Sequence, residues 1–111
     1  MTAIVCAVDM AALGVYRAAA EPGISIGADL SVIAYDGIPE GAWAVPPLTT
    51  FNVDSREAGE RLAALLIRRI RGAKPEELRE TARARLQQGG SDGPPTLITA
   101  DIARRVKRVT S

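Results

Sequence analysis

Two apolar runs rich in β-branched residues, 3–8 (AIVCAV) and 30–35 (LSVIAY), flank a stretch in which Met10, Leu13, Ala20 and the alanines between them recur at helical spacing. Such near-continuous runs suit strands buried on both faces of a parallel sheet, and parallel neighbours need a crossover between them. The pattern therefore predicts a strand, helix and strand unit of roughly 33 residues with a right-handed crossover, and with it an α/β fold. Pro22 and Gly23 stop the helix, and Gly14 with Ala18, Ala19 and Ala20 predict close packing on the sheet. The first run begins almost at Met1. A central strand there would need neighbours on both sides to satisfy its backbone.

In open α/β sheets, ligands gather beyond the carboxyl ends of the strands. Asp9 and Asp36 are each the first acid after a strand. Asp9 reads as a helix N-cap or as a ligand-facing acid, and Asp36, followed by Gly37, as either a turn residue or a ligand-facing acid. Residues 38–45 predict one short helical turn beginning after Pro39, with Ala42, Trp43 and Val45 as its apolar members. Trp43 is the only tryptophan, and is either a core residue or an interface anchor. Pro46 and Pro47 force extended backbone into a third strand or hinge over 48–53.

Asp54 and Glu57 have the spacing of a capping box. Ala58, Leu62, Leu65, Leu66 and Ile70 then give a helix whose strongly apolar face must be buried, and Gly72 ends it. Residues 74–80 read as a polar connection with a helical turn after Pro75. In 81–87, Ala82, Ala84 and Leu86 alternate with Thr81, Arg83 and Arg85, which predicts an edge strand with one dry face. Residues 88–95 (QGGSDGPP) have the composition of a flexible linker, and lack the Lys-Ser/Thr ending of a phosphate loop. Residues 96–111 place Ile98, Ile102, Val106 and Val109 opposite Arg104, Arg105, Lys107 and Arg108. That is a basic amphipathic tail, too short to be stable as a helix alone, and it is set apart from a domain over 1–95.

A net charge of +1 gives no bulk attraction to nucleic acid or membrane. Residues 1–55 hold Arg17 as their single cation, so the remainder is basic; a solvated helix face accounts for it more simply than a contact surface. With no histidine and one cysteine, Cys6, there is no internal disulfide, and neither a metal site nor a cofactor is expected. A small enzyme would have to rely on Ser, Lys or carboxylate chemistry centred on Asp9 or Asp36, so the chain does not read as an enzyme. The first apolar run is broken by Asp9 and has no basic leader. It predicts neither a signal peptide nor a membrane span, and points to a cytoplasmic location.

Taken in order, Ala7-x-Asp9-x-x-Ala12-Leu13-Gly14, the run DLSVIAYD over 29–36, Pro46-Pro47-Leu48-Thr49-Thr50 and residues 54–59 resemble the carboxyl-terminal part of LacI/GalR-type transcriptional regulators. The likeness covers about residues 2–95. It implies part of a two-lobed sensor domain of the periplasmic-binding-protein type, an α/β fold with a parallel sheet and flanking helices, binding a small-molecule effector such as a sugar. Asp36 matches the acid that commonly bonds the effector, Val8 a position often held by Asn, and Ser55 a pocket-facing position. Ala34 stands where Gly usually precedes Tyr-Asp. Glu40, Trp43 and Ala44 fall on the segment that packs across the family dimer, with a second copy or a full-length homologue as partner. Residues 48–50 would lie at a crossover between lobes, residues 55–71 would return to the first lobe, and 81–87 would cross back. Operator DNA would be bound only through a helix-turn-helix that this sequence lacks. The chain resembles the last third of such a regulator, and a transport-type sugar-binding protein is the alternative. Bare sheet edges and an uncovered helix would make it unstable or self-associating, through Trp43 and residues 55–71.

Overall fold

The computed structural model describes residues 1–95, Arg104 and residues 106–109. The predicted unit forms as β1 (Ala3–Val5), α1 (Asp9–Ala20) and β2 (Ser31–Asp36), followed by α2 (Pro39–Trp43), β3 (Thr49–Asn52), α3 (Ser55–Ile70), a short 3-10 turn (Pro75–Glu77) and β4 (Arg85–Gln87). The sheet order is β1-β2-β3-β4. The first three strands are parallel, with Val5 beside Ile33 and Ala34 beside Thr50, and β4 returns antiparallel with Leu86 opposite Phe51. Among the described residues no helix is long and apolar enough to cross a membrane.

The core lies on one side of this sheet. Val32 and Ala34 of β2, Ala12 and Ala19 of α1, and Cys6, Ile24, Leu30 and Leu48 from the connections are buried together, with Val15 and Tyr16 packed against them. Small residues let α1 lie close to the strands, but they are Ala12 and Ala19; Gly14 is exposed and has open space where a Cβ would go. Burial pushes the Cys6 thiol above its ordinary pKa. It does the same to the Tyr16 phenol, against an opposing hydrogen bond from Ser91, and the phenol donates to the Pro46 carbonyl at 2.7 Å.

The opposite side is bare, which corrects the expectation of strands buried on both faces. Val5 is 81% exposed, and Tyr35, Phe51 and Leu86 remain open to solvent, with Tyr35 and Phe51 stacked at 6.4 Å. The reason is geometric: α1 covers one face, and on the other no described helix or strand packs, only residues 88–92, which bury Thr49. β1 is also shorter than residues 3–8 and forms an edge, although Cys6 continues its ladder by donating to Ile33 at 2.8 Å. In 81–87 only Arg85–Gln87 pairs, and all three residues are exposed, so the predicted dry face is absent for the same reason.

Asp54 caps α3 by accepting from the Glu57 amide at 3.0 Å. The Glu57 carboxylate lies 3.8 Å from Arg61. The helix ends before Gly72, which has φ +100. None of its residues is buried, so the apolar stripe of Leu62, Leu66 and Ile70 faces solvent, where its pattern called for cover. Thr49 and Thr50 sit inside the sheet and the chain leaves it only after Asn52, whereas the resemblance put residues 48–50 at a crossover.

The predicted linker is instead a clasp. Ser91 is fully buried; its hydroxyl donates to the Val32 carbonyl at 2.6 Å and accepts from the Thr49 amide at 2.8 Å, while its own carbonyl accepts from the Val32 amide at 2.8 Å. Asp92 accepts from both the Thr49 hydroxyl and the Gln88 amide at 2.6 Å. Gly89 is required because a Cβ there would run into the Pro47 backbone. Of the tail, Arg104 and residues 106–109 are helical, with Val106 and Val109 exposed; Ile98 and Ile102 lie outside the described residues.

Candidate functional site

Asp9 is the first residue of α1, yet its side chain does not cap that helix; Val8 holds the N-cap position, without a side-chain bond. The carboxylate is fully buried. Its Oδ2 accepts from the amides of Gly37 and Ile38, both at 2.9 Å, and its Oδ1 accepts from the Thr50 hydroxyl at 2.5 Å. A buried carboxylate is costly unless its lone pairs are matched by donors, and bonds to an ionised acceptor are the strong ones. The amino end of α1 adds a favourable dipole. Asp9 thus ties together a helix start, the turn after β2 and the central strand β3.

The tied turn carries Asp36. Gly37 adopts φ +84, and a Cβ there would collide with the Asn52 side chain, so only glycine fits. Asp36 has φ +145, a region that non-glycine residues seldom occupy, and such strain persists only where the surroundings impose it. Its carbonyl accepts from Val53 at 2.9 Å. The carboxylate is partly buried, and no described residue hydrogen-bonds it.

Val8 and Ser55 follow β1 and β3 and Asp36 is the last residue of β2, so all three stand at the carboxyl edge of the parallel strands. Val8 and Ser55 are both exposed. A groove of about 570 Å³ is lined by Tyr35, Asn52, Asp54, Arg61, Arg83 and Arg85 among others, which include the chain neighbours of Asp36 and Ser55. None of Val8, Asp36 and Ser55 lines it. Arg61 lies 3.8 Å from both Glu57 and Glu80, exposed pairs that add little stability.

On the neighbouring surface, Trp43 is 77% exposed and Val45 90%, which removes the core reading of Trp43. Glu40 is exposed and Ala44 partly buried. This short segment is nonetheless fixed, because the Gly41 carbonyl accepts from the Leu48 amide at 2.9 Å.

Sequence reasoning missed Thr50 as the partner of Asp9, and placed Ser91 and Asp92 in a flexible linker. The available signal was the Thr49-Thr50 pair. Adjacent strand residues point to opposite faces, so both threonines of a central strand need a buried partner.

The sequence matches the model of the periplasmic binding protein-like domain over residues 1–91. It is 41% identical over 70 residues to the lactose operon repressor of Rhizobium radiobacter, covering 63% of this chain and 62% of that protein. A LacI family transcriptional regulator from Arthrobacter sp. FB24, solved in complex with lactose, superposes with a TM-score of 0.77 at 31% identity, over 84% of this chain and 36% of that one. The lac repressor dimer bound to operator and an anti-inducer gives a TM-score of 0.72 at 31% identity, over 82% of this chain and 32% of that one. The chain therefore spans between about a third and just under two thirds of the length of these relatives.

Proposed function

The chain belongs to the periplasmic-binding-protein-like domain family, in the form carried by LacI/GalR-type transcriptional regulators, and we propose that it supplies one wall of a small-molecule effector site and a dimerisation surface. The relatives are transcriptional repressors, not enzymes. Asp36 carries the reading. Among the described residues its carboxylate has no hydrogen-bond partner, and it stands at the carboxyl edge of the sheet in a conformation that costs free energy.

In this proposal Asp36 accepts hydrogen bonds from effector hydroxyls, Ser55 adds a second polar contact, and Val8 offers an apolar one. A sugar suits such a site, and the Arthrobacter regulator was solved with lactose. Glu40, Trp43 and Ala44 form the dimer contact, with Trp43 as its anchor, and the repressor solved on operator is a dimer. Residues 1–95 form the sensor part, residues 96–111 a separate basic tail, and the setting is the cytoplasm. The effector acts by population shift, and operator DNA is reached only through a helix-turn-helix, which is not found among the described residues. A transport-type binding protein shares the fold, but the repressor relatives favour the regulator.

Amide spectra of the isotope-labelled 111-residue chain, titrated to millimolar concentrations with lactose and a panel of other sugars, test the reading. Shifts at Val8, Asp36, Gly37 and Ser55 are expected with at least one sugar, and Asp36→Asn should abolish them. If no sugar moves these resonances, the effector reading fails.

A further inference from the structure

The Asp9 carboxylate makes no contact with solvent, yet it receives three donors from two separate elements. Two of them, the Gly37 and Ile38 amides, are the residues immediately after Asp36. An acceptor that takes both amides on one oxygen fixes the direction in which the chain leaves β2. With Asp36 set in the ladder on one side and Gly37 fixed on the other, the φ of +145 at Asp36 follows. The third donor, Thr50, anchors the same carboxylate to β3, the strand beside β2. Asp9 is therefore the fixed point to which the turn is referred, and it does not reach the edge itself.

From this geometry we infer that Asp9 is a positioning residue for Asp36: through the Gly37 and Ile38 amides it sets the turn that presents the Asp36 carboxylate, and through the Thr50 hydroxyl it locks that turn to β3. The inference rests on the reading of Asp36 as an effector contact. Asn at position 9 keeps the shape and one carbonyl acceptor for the two amides, but presents an NH2 group where Oδ1 accepted the Thr50 proton. Thr50→Val removes the hydroxyl alone. Both substitutions thus break the anchor to β3, and Asp9→Asn also removes the charge that the two amides bond.

The test uses the full labelled chain and three readouts: the amide resonances and hydrogen exchange of Gly37 and Ile38, the carboxyl carbon resonance of Asp36, and the shifts induced by whichever panel sugar binds. Asp9→Asn and Thr50→Val are expected to move the two amides, speed their exchange, shift the Asp36 carboxyl carbon and weaken sugar binding roughly tenfold or more. Resonances of the Ser91 clasp should stay in place, which a general loss of stability would not allow. If Asp9→Asn unfolds the chain, Thr50→Val carries the test alone. Unmoved Gly37, Ile38 and Asp36 signals in the folded variant overturn the inference, as does unaltered sugar affinity. Asp36→Asn separates the two readings. Loss of the sugar response with the Gly37 and Ile38 amides in place supports the effector reading by itself. A persistent response sinks that reading, and with it the assignment of Asp9 to effector positioning, while the amide shifts of the Asp9 variant still report whether it sets the turn.

Discussion

At position 37 the backbone φ of +84 and the nearby Asn52 side chain both exclude a Cβ. Gly37→Ala should therefore cost about 1–3 kcal/mol, measured by equilibrium urea unfolding; a loss below about 0.5 kcal/mol would show that the turn relaxes freely. Asp36 poses the reverse case, a non-glycine residue at φ +145. Asp36→Gly relieves that strain but adds freedom to the unfolded chain, so stability should rise by no more than about 1 kcal/mol while any sugar response disappears. A calorimetric midpoint that falls would contradict the strain. Asp9 and Asp36 were both legible in the sequence as acids placed after strands. Their division of labour was not, because a cap, a buried tie and a ligand contact all use the same residue type, and only burial and donor geometry tell them apart.

Among the elements, the strand, helix and strand unit was readable because its apolar periodicity is local, and the Asp54 cap of α3 because it spans only three residues, although the Glu57 side chain pairs with Arg61 and does not complete the capping box. Residues 88–95 misled for a physical reason. Gly, Ser, Asp and Pro dominate solvated linkers, and they also dominate segments in which backbone must approach backbone closely, as Gly89 does at Pro47. Ser91 is the residue on which the clasp turns. Ser91→Ala would strand the Thr49 amide and one acceptor site on the Val32 carbonyl, at a cost of roughly 2–4 kcal/mol. Chemical denaturation should show that loss together with faster exchange of the Thr49 amide. A change within about 0.5 kcal/mol would mean the clasp is dispensable. The predicted dry face of residues 81–87 failed because alternation records which side of a strand could be buried, and burial needs a covering element, which the described residues do not provide for β4.

The molecule as a whole is extended, with a radius of gyration of 19.1 Å against about 13 Å for a compact domain of this length. Its surface of 8008 Å² exceeds the roughly 5,900 Å² typical of a compact monomer of its mass. Part of the excess is apolar, on α3 and on the open face of the sheet, and exposed apolar area of this extent drives association. Sedimentation should show concentration-dependent self-association of the chain, and Leu62→Glu with Leu66→Glu should reduce it; a monodisperse, cooperatively melting monomer would refute this. The clasp bears on how the molecule is made. Ser91 bonds Val32 and Thr49, partners 59 and 42 residues earlier in the chain, and pairings across such sequence distances form slowly. During synthesis, β2 and β3 must wait with open amino ends until residue 91 has emerged, so the sheet is completed only after all four of its strands have been translated.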